Sequence, residues 1–233
     1  MSIWRTQASR LLGALLPQDC LLCGSASGDG LLCPACESEL PGLPAATCPV
    51  CAEASPNGAV CGACLKSPPH HDATLAAFRY AFPVDKIVQA LKYQRHLATA
   101  DFLASAMVAG RRPMGDVVIP VPLSATRLTE RGFNQAVEIA RPLARALALP
   151  LCLDGCTRRH NTAPQATLPW KARRKNIRNA FECSIDLAGR SVIAVDDVMT
   201  TGATLDEFAR TLKAHGAVRV TNWVAARALR DGA

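Results

Sequence analysis

The most specific chemistry in the chain lies in fourteen consecutive residues, Val192-Ile193-Ala194-Val195-Asp196-Asp197-Val198-Met199-Thr200-Thr201-Gly202-Ala203-Thr204-Leu205. Four apolar residues make a buried strand, two adjacent carboxylates stand where it ends, and a Thr/Gly-rich turn leads straight into a helix. Backbone N–H groups of the turn, the helix N-terminal dipole and three threonine hydroxyls converge on one small space, which is what a phosphate needs. The carboxylates cannot serve the phosphate; they suit sugar hydroxyls or a cation beside it. Phosphate on one side and hydroxyl acceptors on the other point to a ribose 5-phosphate. A plain strand–turn–helix with a threonine N-cap needs neither the carboxylate pair nor three threonines.

A second chemistry is carried by eight of the eleven cysteines: Cys20/Cys23, Cys33/Cys36, Cys48/Cys51 and Cys61/Cys64. The spacing C-x2-C-x9-C-x2-C occurs twice in tandem. Two thiolates three positions apart on a tight turn face one cation, and two such turns supply the four ligands of a structural Zn²⁺. Disulfides need an oxidising compartment, and no export signal is visible. A thioredoxin-type centre uses one C-x-x-C, and iron–sulfur clusters use other spacings. Two structural zinc sites are therefore expected, with sequential pairing (Cys20, Cys23, Cys33, Cys36; then Cys48, Cys51, Cys61, Cys64) fitting the repeat better than an interleaved one. All ligands are protein atoms, so neither zinc keeps a position open for a substrate. Cys152, Cys156 and Cys183 lack this spacing and read as reduced, partly buried thiols. His70 and His71 follow Pro68-Pro69 and read as linker, with spare zinc ligation as the alternative.

Positioning these residues requires two units. Residues 18–70 form a cysteine-dense head and residues 71–233 a body in which strand-like and helix-like runs alternate. Strands are expected over 74–80, 116–121, 180–185, 191–195 and 218–226. Helices are expected over 85–93, 97–108, 134–149 and 205–215, with Pro142 suggesting a kink or a fresh start and Gly216 a stop. Alternation of this kind implies an α/β fold with a mainly parallel sheet and helices on both faces. Ligands of such sheets sit at the carboxyl ends of the strands. Residues 1–17 read as a short amphipathic helix, with Leu11/Leu15 and Leu12/Leu16 at helical spacing.

The run Val192–Thr204 resembles the 5-phosphoribosyl 1-pyrophosphate (PRPP) loop of type I phosphoribosyltransferases. The segments Leu91-Lys92-Tyr93, Pro120-Val121-Pro122-Leu123-Ser124, Arg131-Gly132-Phe133-Asn134-Gln135 and Thr162–Gln165, together with the double ribbon, resemble ComF/GntX-type competence proteins over nearly the whole chain. The resemblance implies a type I phosphoribosyltransferase-like body behind a double zinc ribbon. It implies that Asp196 and Asp197 bind ribose hydroxyls and act at the catalytic centre. Thr200, Thr201, Gly202, Ala203 and Thr204 then cradle the 5-phosphate, and Mg²⁺ accompanies PRPP. Pro120–Ser124 takes the place where the superfamily binds pyrophosphate. Pro120 and Pro122 remove two backbone donors there, leaving Ser124, Arg127 and Arg131 to act through side chains, or the arginines to be solvated surface residues.

The basic run Arg158–Arg178 holds Arg158, Arg159, Lys171, Arg173, Arg174, Lys175 and Arg178 without an acidic residue. By resemblance it is the mobile loop that closes over pyrophosphate. Its charge alone equally suits a nucleic-acid backbone, with Trp170 for stacking, or a solvated basic helix. The expected function is DNA uptake or utilisation, with a pocket for PRPP or a nucleotide and a basic face for single-stranded DNA. A competence helicase or other uptake protein is the implied partner. The alternative is an active phosphoribosyltransferase acting on a nucleobase or amine, although no segment after Thr204 has the size of a hood for a base.

Composition limits the rest. With 49% hydrophobic and 19% charged residues the chain is not disordered. No run approaches 18 apolar residues, so no membrane span is expected, and the protein reads as cytoplasmic. The net charge of +7 is uneven. Residues 1–70 hold three Lys/Arg against five Asp/Glu, so the basicity belongs to the body. Thiolate ligation makes the head still more anionic.

Overall fold

A computed structural model describes residues 18–94, 96–159 and 177–230. The helix expected over 1–17 lies outside the described residues, as does 160–176 in the middle of the basic run.

The head folds one backbone motif twice. It contains β1 (Gln18–Asp19), β2 (Ala26–Gly28), α1 (Pro34–Ser38) and α2 (Gly62–Lys66). In each half the first knuckle closes by a bond four residues back, Gly24 N to Cys20 O and Ala52 N to Cys48 O, both 2.9 Å. Gly24 and Ala52 take the left-handed conformation that this tight turn requires. In each half the second knuckle begins at a helix N-cap, Cys33 for α1 and Cys61 for α2, with nearly identical dihedrals.

The body is built on a four-stranded sheet, parallel throughout, in the order β3 (Ala73–Arg79), β8 (Arg219–Arg227), β7 (Ser191–Met199) and β4 (Val117–Pro120). Its inner strands are mostly apolar on both faces, as a sheet covered on both sides demands. One face, through Val118, Ile193, Val195 and Trp223, packs on α3 (Val84–Gln94), α4 (Ala98–Ala109) and α6 (Gln135–Leu147). The other, through Ile119, Val192, Ala194 and Val224, packs on α7 (Ala203–Ala214) and Phe181. The head closes the open edge at β3: Thr74 N donates to Pro49 O and Arg79 N to Pro41 O. An edge strand is thereby satisfied rather than left for aggregation.

Four features differ from expectation. The strand expected to end at Val195 continues to Met199, because β8 supplies partners as far as Arg227. The strand expected over 180–185 shortens to β6 (Phe181–Cys183) and pairs antiparallel with β5 (Cys156–Arg158), outside the main sheet. An additional short helix, α5 (Ala125–Arg131), follows Ser124. Helix α6 runs through Pro142, giving up one intrahelical bond.

Candidate functional site

The carboxyl end of β7 places the acidic pair. Asp197 is buried and Asp196 half-buried, in register with Val224 on β8. Consecutive strand residues project to opposite faces, yet Lys92 is the chief cation for both carboxyls. From α3, Lys92 Nζ reaches Asp197 Oδ2 at 2.5 Å. Arg158, on β5 beside Ser124, lies within electrostatic reach of Asp196 and of Arg127. Burial alone would raise Asp197, but the Lys92 charge and hydrogen bond hold its carboxyl below the ordinary range. Asp196 is pushed well above that range, first by burial and then by the Asp197 charge. At neutral pH the site thus combines one firmly ionised carboxylate with one that holds its proton more tightly.

Beyond Met199 the chain turns through Thr200 and Thr201 into α7. Gly202 is the N-cap, at φ 81°, where a Cβ would lie 2.6 Å from Met199 Cε. Thr201 Oγ1 accepts from Ala203 N at 3.4 Å, and Asp206 N donates to Gly202 O at 2.8 Å. The first turn of α7 therefore presents its N-terminal dipole next to the acidic pair.

The Pro120–Ser124 segment continues β4 beside β7. Val121 N donates to Val195 O at 2.9 Å, so the sheet occupies the amide between the two prolines. Asn134 Nδ2 donates to Val121 O at 3.0 Å, and its Oδ1 caps α6 by accepting from Ala136 N. Gly132 ends α5 in the left-handed conformation. The Arg-Gly-Phe-Asn-Gln run thus folds as a helix stop, a loop tie and a helix start. Ser124 is the buried N-cap of α5, and Arg131 lies 5.5 Å from the Tyr93 ring centroid, in cation–π range.

Of the basic run, half-buried Arg158 packs over the Phe181 ring at 5.5 Å. Arg159 is exposed and pairs with Glu182. Lys171, Arg173, Arg174 and Lys175 lie outside the described residues. Lys92 is the site residue that sequence reasoning passed over as a bare motif member. It follows Val84, Ile87, Val88 and Leu91 on the buried face of its helix. A cation at that spacing signals a buried counter-charge.

Each cysteine set forms one cluster with all four sulfurs within 4.8 Å of one another: Cys20, Cys23, Cys33 and Cys36, then Cys48, Cys51, Cys61 and Cys64. The pairing is sequential. Distances of 3.7 Å (Cys23–Cys33) and 3.6 Å (Cys51–Cys61) match the roughly 3.8 Å edge of a tetrahedron with Zn–S bonds of about 2.3 Å. Burial raises Cys20 and Cys48, but backbone N–H groups overcome it and bring them to about 6 and about 7. Their neighbours are pushed the other way, Cys36 to about 12 by its bond with Cys23 and by burial, and Cys51 to about 11, chiefly by burial. Four thiols at this range can all ionise only around a cation, so the donor sets fit zinc.

Comparison with known proteins agrees with both halves. Residues 11–65 match the double zinc ribbon domain, and residues 134–231 match the phosphoribosyl transferase domain. The chain is 34% identical over 219 residues to the DNA utilization protein YhgH of Escherichia coli O157:H7, covering 90% of each. It is 34% identical over 175 residues to competence protein F of Haemophilus influenzae, covering 70% of this chain and 76% of that one. Among solved structures, a purine phosphoribosyltransferase from Pyrococcus horikoshii aligns over 68% of this chain and 90% of its own, at 19% identity and a TM-score of 0.32.

Proposed function

The chain belongs to the ComF family, with a double zinc ribbon joined to a body of type I phosphoribosyltransferase fold, and from that premise we propose that it is a DNA-utilisation factor whose pocket binds PRPP. The observation that carries the ligand reading is the junction of β7 and α7. A carboxylate pair on the strand runs directly into a Thr/Gly turn closed by left-handed Gly202 at a helix N-terminus. In this reading Asp196 and Asp197 accept the ribose hydroxyls. Thr200, Thr201, Gly202, Ala203 and Thr204 hold the 5-phosphate, and the diphosphate turns toward Ser124 and Arg127 with its Mg²⁺. Arg158 joins this group, since Asp196 and Arg127 lie within its electrostatic reach.

The second half of the proposal is single-stranded DNA. The relatives' names, DNA utilization and competence, point to DNA, and the run Lys171, Arg173, Arg174 and Lys175, with Arg159 adjoining, suits its backbone. The working place is the cytoplasm, where incoming strands meet a helicase or other uptake proteins. No helix among the described residues is long and apolar enough to cross a membrane.

One calorimetric experiment tests both halves. PRPP is titrated into the zinc-loaded chain with and without Mg²⁺ and with and without an oligonucleotide, while diphosphate release is followed in the presence of free nucleobases. Saturable binding lost in Asp196→Asn/Asp197→Asn supports the pocket, and unchanged binding in that variant rejects it. Diphosphate release separates turnover from sensing. Oligonucleotide affinity that falls with salt, and falls again when Lys171, Arg173, Arg174 and Lys175 are neutralised, supports the DNA face.

A further inference from the structure

Arg227 closes β8 at the level of Met199, and it is 3% exposed. A buried guanidinium persists only where its donors find acceptors. Those of Arg227 are divided between the two halves of the protein. Toward the head, Nε donates to Cys51 O at 2.8 Å and Nη2 to Glu53 Oε2 at 3.1 Å. Toward the body, Nη1 donates to Met199 O at 3.1 Å and to the Thr200 and Ala228 carbonyls. Glu53, itself buried, is fixed in turn by Arg230 N at 3.1 Å and by the Cys48 N to Glu53 O bond at 2.8 Å. One rigid fork therefore spans from a zinc-ligand residue to the turn that opens α7.

The direction of these bonds matters. In a planar trans peptide the carbonyl of one residue and the N–H of the next point opposite ways. With the Met199 and Thr200 carbonyls turned onto Arg227, the N–H groups of Thr200 and Thr201 are turned away from it, as donors for whatever the turn cradles. Packing does not do this work alone. A cavity of about 700 Å³, lined by Cys51, Cys64, His71, Thr201, Gly202 and Arg227 among others, lies between the second ribbon and the turn. The first ribbon is placed differently: Cys20, Leu32 and Cys33 join the core beneath α3, α4 and α6.

We propose that Arg227 is a positioning residue through which the second cysteine cluster, and not the first, holds the phosphate turn in its binding conformation. The second ribbon is then part of the ligand site although none of its atoms is required to touch the ligand. The proposal rests on reading this turn as the PRPP 5-phosphate cradle, and its test is arranged so that the two fail separately.

The test compares Cys61→Ser, Cys33→Ser, Arg227→Gln, Arg227→Lys and the Cys61→Ser/Arg227→Gln double variant with the zinc-loaded parent. Amide hydrogen exchange over residues 199–206 is read without ligand, and PRPP affinity by calorimetry. Exchange of the turn is expected to rise, and PRPP affinity to fall, about tenfold in Cys61→Ser and in Arg227→Gln. The double variant should be no worse than Arg227→Gln, and Cys33→Ser should leave the turn protected. Lysine keeps a charge for Glu53 but cannot span from Cys51 O to Thr200 O. Arg227→Lys should therefore recover thermal stability without recovering turn protection. Should Arg227→Gln not fold, Glu53→Gln removes one anchor and should raise exchange about threefold, a smaller share of the same coupling. Equal exchange in Cys33→Ser and Cys61→Ser, or additive effects in the double variant, overturns the proposal. A parent that does not bind PRPP overturns the ligand reading alone, because the exchange measurement still decides the coupling.

Discussion

Lys92 Nζ stands 2.5 Å from Asp197 Oδ2, with side-chain exposures of 18% and 6%. The pair joins α3 to the end of β7, two elements over a hundred residues apart in the chain. Removing one partner of such a pair leaves a buried charge without compensation, which costs about 3 kcal/mol or more. Lys92→Met should lower the urea midpoint accordingly, and Lys92→Met/Asp197→Asn should recover part of the loss. The acid limb gives an independent check. Asp197 is held below the ordinary carboxylate range, so its contribution is complete above the unfolded value of about 4 and is lost as pH falls through the folded one. The parent should therefore lose more stability on acidification than Lys92→Met does. Parallel curves would contradict the pairing.

Asp196 titrates in the opposite sense. Burial and the neighbouring Asp197 charge lift its carboxyl above the usual range. A protonated carboxyl accepts a ribose hydroxyl less well than a carboxylate does. PRPP affinity should accordingly improve as pH rises through the raised value of Asp196, and Asp196→Asn should flatten that profile while weakening binding throughout. Calorimetry from pH 5.5 to 8.5 in buffers of matched ionic strength measures it, and a profile that falls with pH would remove Asp196 from the hydroxyl-binding role.

Gly202 tests the turn with the smallest change available. Its φ of 81° costs an L-residue about 1–2 kcal/mol. An added Cβ also meets Met199 Cε at 2.6 Å, a contact the flexible methionine can relieve. Gly202→Ala should lose about 1–2 kcal/mol in thermal or urea unfolding, and PRPP binding should weaken. Met199→Ala in the same chain should relieve the contact and not the dihedral. Full recovery in the double variant would show that the dihedral is not what matters.

Much of this was legible because local patterns coincide with what the fold needs. The cysteine spacing dictates the knuckles and favours the sequential pairing. The apolar run before Asp196 dictates a buried strand, and Gly202 a turn into a helix. Three things were not legible, for one reason: each depends on a partner distant in sequence. Lys92 reads as an ordinary helix lysine until β7 is packed against α3. Arg227 lies one residue beyond the expected end of its strand and gains meaning only when Cys51, Glu53 and Met199 surround it. Residues 181–183 are extended, as their sequence implies, but their antiparallel partner is Cys156–Arg158, across a segment with no periodic pattern. That pairing also explains why Arg158, grouped by sequence with the basic run, lies over Phe181.

The zinc clusters give the prediction with the widest reach, because their thiols cannot all ionise unaided. Cys20 near 6 and Cys48 near 7 supply ready thiolates at neutral pH, whereas Cys36 near 12 and Cys51 near 11 remain protonated in the metal-free clusters. Loading zinc must therefore expel protons, at least from Cys36 in the first cluster and Cys51 in the second. Zinc added to chelator-stripped protein in weak buffer at pH 7 should acidify the solution by at least one proton per metal. Elemental analysis of the loaded chain should return two zinc ions, falling to one in Cys36→Ser or Cys64→Ser. The two losses should not be equivalent for folding. The first cluster shares a core with Leu91, Leu103 and Leu143, so losing its metal should lower the melting temperature of the body as well as the head. The second borders the turn before α7 across the cavity, so losing its metal should act more on ligand affinity than on melting. Zinc uptake without proton release would mean that the thiols are already ionised without metal, and the electrostatic account of the clusters would fail.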